Sequence, residues 1–71
     1  MTHKKVYGYF ERLFPFIAKE TTEWFECGKN AIRVRCSLYG EDIVFSYFGK
    51  SHWDLESLSN YISRMNERRK V

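Results

Sequence analysis

From Ala31 to Leu38 the chain alternates, with Ile32, Val34, Cys36 and Leu38 on one parity and Arg33, Arg35 and Ser37 on the other. That is the period of a strand with one buried face and one wet face. The next run, 42–48, is dense in β-branched and aromatic residues and offers no helical face, so it reads as a second strand. Joined through Leu38-Tyr39-Gly40-Glu41, the two form a central hairpin. Placing Leu38 opposite Glu41 sets Cys36 against Ile43, Val34 against Phe45 and Ile32 against Tyr47. An earlier strand over 23–27 enters the turn Gly28-Lys29-Asn30. If Glu26 faces Ala31, then Phe25 and Cys27 join Ile32 and Val34 on the apolar face, while Trp24 and Glu26 point outward beside Arg33.

The flanks read as helices. Between Val6 and Ile17 the apolar positions 6, 7, 9, 10, 13, 14, 16 and 17 fill one half of a helical wheel, and most of them are aromatic. This predicts a helix over 4–19, bent at Pro15 or broken there so that the proline opens a second short turn. Ser51, with Asp54 three residues on, resembles a helix N-cap, and Leu55, Leu58, Tyr61, Ile62 and Met65 follow as a stripe. A second helix over 52–68 is therefore expected. The order is α-β-β-β-α, an α+β fold with a three-stranded antiparallel meander and both helices packed on one face.

The double-stranded-RNA-binding domain shares this order. Its Gly-Pro-x-His loop and Lys-Lys-x-Ala-Lys helix start are replaced here by Cys27-Gly28-Lys29-Asn30 and by Ser51-His52-Trp53-Asp54-Leu55. The likeness is one of topology, which does not carry function with it.

Composition changes the picture in three places. A single domain of 71 residues buries only about 60% of its unfolded surface, so the five Tyr, six Phe and two Trp are its means of packing densely. No apolar stretch approaches a bilayer span and no export-type leader is evident, so a cytoplasmic protein is expected. The net charge of +3 invites a nucleic-acid reading. Acids and bases balance over residues 1–63, however, and the excess lies in Arg64, Arg68, Arg69 and Lys70, where a helix C-terminus favours cations without any partner.

Candidate chemistry is sparse. Cys27, Cys36, His3 and His52 lack the close ligand pairs of zinc sites. Cys36 or Ser51 beside His52 has no identifiable orienting group, so no catalytic residue, metal, cofactor or small-molecule substrate is assigned. Above this background stands the outer sheet face. Trp24, Glu26, Arg33, Arg35 and Phe48 are expected there in the open, a combination of aromatic and arginine typical of binding hot spots. The function expected is a small non-enzymatic interaction module that docks on another protein or on itself as a homodimer. The alternative is nucleic-acid binding through Arg33, Arg35, Trp24 and the basic residues Arg64, Arg68 and Arg69.

Overall fold

The structure, a computed structural model, describes residues 2–69 and the side chains as far as Asn66. Helix α1 (His3–Leu13) is followed by the short α2 (Pro15–Lys19), then by strands β1 (Thr21–Gly28), β2 (Ala31–Cys36), β3 (Ile43–Gly49) and β4 (His52–Ser57), and finally by helix α3 (Leu58–Arg69). The strands form one antiparallel sheet in the order β1-β2-β3-β4. The fold is α+β, with four strands where three were expected.

Pro15 acts as its chemistry dictates. Phe14 leaves helical dihedrals, at φ −131° and ψ 65°, and Pro15 becomes the first residue of α2, where its missing N–H costs nothing. The break keeps Val6 and Phe10 of α1 wholly buried but turns Phe16 out, 82% exposed. Against Val6 and Phe10 lie Ile32, Val34 and Cys36 of β2 and Ile43, Phe45 and Tyr47 of β3, the parity read from the alternation. Aromatic contacts tie helix to sheet: Phe10 on Phe45 at 5.5 Å, Phe14 edge-on to Trp53 at 5.0 Å, and Tyr9 stacked on Tyr47 at 4.0 Å.

Residues 52–57 are strand, not the first turns of a helix. Their own alternation explains this: Trp53 and Leu55 take the face of Phe45, while Asp54 and Glu56 take the other. The resemblance to a helix cap is local, whereas pairing with β3 satisfies a whole row of backbone groups. The hairpin between them turns on Gly49, Lys50 and Ser51, at φ 94°, 47° and 70°. Two non-glycine residues thus sit in the left-handed region that asparagine and glycine occupy more readily. Lys50→Asn combined with Ser51→Gly is expected to stabilise the domain by about 1 kcal/mol, read as a higher urea midpoint at unchanged m-value.

The last helix starts at Leu58. Its backbone N–H donates to the Asp42 carbonyl at 2.9 Å, and Ser59 N–H donates to Glu41 Oε1 at 3.1 Å, so the loop before β3 seats its N-terminus. Arg64 then reaches Glu56 at 2.6 Å and Asp54 at 3.7 Å. Those carboxylates belong to the sheet face opposite α1, and Val44, on the same face, is fully buried. The two long helices therefore contact opposite faces, which corrects the one-sided packing expected from the sequence. With β4 added, the second face gained Asp54 and Glu56, the two acids that Arg64 of α3 engages.

Candidate functional site

The first hairpin pairs one residue out of the expected register. Trp24 lies opposite Val34, Phe25 opposite Arg33 and Glu23 opposite Arg35, with irregularities between Thr21 and Glu23 and between Glu26 and Gly28. A bulge inserts a residue and exchanges the faces on either side of it. Trp24 is consequently on the α1 side, its indole stacked on the Tyr7 ring at 5.0 Å and 11°. It is covered by a helix and takes no part in an open arginine surface. Glu26 also leaves the predicted cluster: it lies 3.7 Å from His3 Nδ1 at the end of α1, where His3 Nε2 donates to the Gly28 carbonyl.

What the slip removes it also supplies, because Phe25 replaces Trp24 beside the arginines. The guanidinium of Arg35 lies 5.5 Å from the Phe25 ring centre, and both side chains are over 40% exposed. The second hairpin is shifted by two residues, pairing Val34 with Ile43 and Ile32 with Phe45. Faces are conserved by a shift of two, so the core parity survives, but Asp42 moves from opposite Ser37 to the level of Arg35.

Asp42 is the residue the sequence reading missed. Arg33 Nε donates to its Oδ2 at 2.5 Å, and Arg35 Nε donates to its Oδ1 at 3.2 Å. Arg35 also donates from Nη1 to Glu23 Oε2 at 3.0 Å. Asp42 is only 8% exposed, whereas the arginines are 39% and 48% exposed, so the carboxylate is the buried hub and the cations are its rim. Hydrogen bonds from Arg35 and then Arg33 hold the Asp42 carboxyl below its ordinary pKa, against the burial that would raise it. Two positive and two negative groups cancel on this face. The signal was present: Asp42 shares the parity of Val44 and Ser46, which placed it on the arginine face.

Phe48 is exposed but sits at the other end of β3, where it helps to line a cleft of about 230 Å³ with Tyr61, Arg64 and Met65 of α3. Arg64 is paired with its own two acids, Glu56 and Asp54, whereas Arg33 and Arg35 are paired with Asp42. The side chains of Arg68 and Arg69 lie outside the described residues. Cys27 and Cys36 are free thiols, and among the described residues no three of His, Cys, Asp and Glu gather in a metal-type cluster. No helix among them is long and apolar enough to cross a membrane. Compared with models of protein families, with curated proteins and with solved structures, the chain matches none.

Proposed function

We propose that the chain is a small non-enzymatic docking module whose working surface is the open strip of β1 and β2 formed by Phe25, Arg33, Arg35 and Glu23, and that this surface engages another protein. The observation that carries the reading is the pairing of both arginines with Asp42 beneath an exposed aromatic ring. Guanidinium planes already fixed by a carboxylate lose little freedom on binding, which is how arginine serves an interface at low entropic cost. The same pairing weakens the nucleic-acid alternative at this face. A phosphate arriving here meets a neutral cluster and has to compete with Asp42 and Glu23 for the cations, so counterion release supplies little.

A photo-crosslinking amino acid placed at position 25, with a control at the exposed Tyr39, tests this in cells. A protein adduct formed from position 25 and not from position 39, resistant to nuclease and diminished by Arg35→Ala, is the expected result. Equal labelling from both positions, or an adduct that nuclease removes, would count against protein docking at this strip.

A further inference from the structure

Helix α1 carries a glycine that its packing does not call for. Gly8 sits in the middle of the helix, and a β-carbon built there would meet nothing within 4 Å. Glycine is the poorest non-proline residue for a helix interior, so alanine would serve the fold better. Around Gly8 the side chains of Lys5, Tyr9 and Arg12 enclose an open cleft of about 240 Å³. Positions 5, 8 and 12 lie on the side of the helix away from the buried Val6 and Phe10, with Tyr9 at the border between that side and the core. Among the described residues neither Lys5 nor Arg12 has a carboxylate within ion-pair distance, in contrast to Arg33, Arg35 and Arg64. Tyr9 is held by its stack on Tyr47 and forms a fixed aromatic wall.

We infer that this cleft is a binding site for the sugar-phosphate backbone of a single-stranded nucleic acid. Lys5 and Arg12 flank a phosphate, the missing side chain at Gly8 lets the strand approach the helix backbone, and Tyr9 bounds the sugar and base. A second copy of the chain is a poorer occupant, since a face bearing Lys4, Lys5 and Arg12 against the one acid Glu11 repels itself. The site is independent of the β1–β2 strip, shares no residue with it, and stands or falls separately.

The test is fluorescence anisotropy with a labelled single-stranded oligonucleotide of mixed sequence across a salt series, using wild type, Gly8→Ala and Lys5→Ala/Arg12→Ala. Two phosphate contacts on a single strand correspond to a slope of about −1.4 in log K against log salt, or about sevenfold in affinity over a fourfold rise in salt. The double variant is expected to lose that share of the slope. Gly8→Ala is expected to melt at a higher temperature than wild type yet bind several-fold more weakly, a combination that no loss of folding can mimic. Wild-type affinity and slope in both variants would overturn the inference. So would displacement of the strand by inorganic triphosphate at equal phosphate concentration, which assigns the cleft to free phosphate, or equal binding of a duplex of the same sequence, which leaves Tyr9 without a role.

Discussion

Phe45→Ala is expected to remove a large share of the domain's stability and to lower its urea midpoint sharply. Phe45 is fully buried, and its ring meets those of Phe10 at 5.5 Å, Phe14 at 6.1 Å, Trp53 at 6.2 Å and Tyr47 at 6.4 Å. It joins α1 and the break at Phe14 to the two C-terminal strands. Truncating such a residue costs about 3–5 kcal/mol, because the surrounding rings are too large to collapse into the cavity. A chain of 71 residues has in total about 4–11 kcal/mol of stability to lose. Phe16→Ala is the matching control: with the ring 82% exposed, its removal should shift stability by under about 0.5 kcal/mol. Urea melts followed by far-ultraviolet circular dichroism compare the two, and a Phe45→Ala midpoint within experimental error of wild type would contradict the placement of the core.

The parts of this fold legible in the sequence are those with a long periodic signal. The interruption of the first helix at Pro15 and the parity of Ile32, Val34, Cys36, Ile43, Phe45 and Tyr47 follow from spacing, as does the burial of Val6 and Phe10 on the aromatic half-wheel, although the break leaves Leu13 and Phe16 of that half-wheel exposed. Register was harder to read, because bulges add a residue without leaving a mark in the hydrophobic pattern. Trp24 and Phe25 are both large and apolar, so either could face inward; the irregularities flanking them decide that Trp24 does. The fourth strand was hidden by competing local signals. Ser51 and Asp54 at cap spacing argue for helix, while Trp53 and Leu55 alternate with Asp54 and Glu56 as a strand only if the preceding residues can turn tightly, which the left-handed Lys50 and Ser51 allow. The arginine face was foreseen with the wrong aromatic and without its carboxylate, since Asp42 reaches Arg35 only in the observed register.

Asp42→Asn should test that carboxylate, and its signature is a pH dependence as well as a loss. At neutral pH the aspartate accepts hydrogen bonds from both Arg33 and Arg35, and asparagine returns neither the charge nor the full acceptor set. A fully buried ion pair broken on one side costs about 3–5 kcal/mol. Here the arginines are 39% and 48% exposed and water takes up part of the loss, so about 1–2 kcal/mol is expected. Because the folded state holds the Asp42 pKa below its unfolded value, the contribution is complete above the unfolded carboxylate value of about 4 and disappears as pH falls through the lowered one. Wild type and Asp42→Asn should therefore differ in urea midpoint at pH 7 and converge under strongly acidic conditions. Glu23→Gln, at the solvent edge of the same network, should show a much smaller difference, since its carboxylate is 55% exposed and meets only one arginine. Asp42→Asn should also weaken any complex made through Phe25 and Arg35 by more than the loss of folded protein explains, because the guanidinium planes are then no longer held in place. A variant whose midpoint follows that of wild type at every pH would show that the arginines, and with them the docking strip, are organised by something other than Asp42.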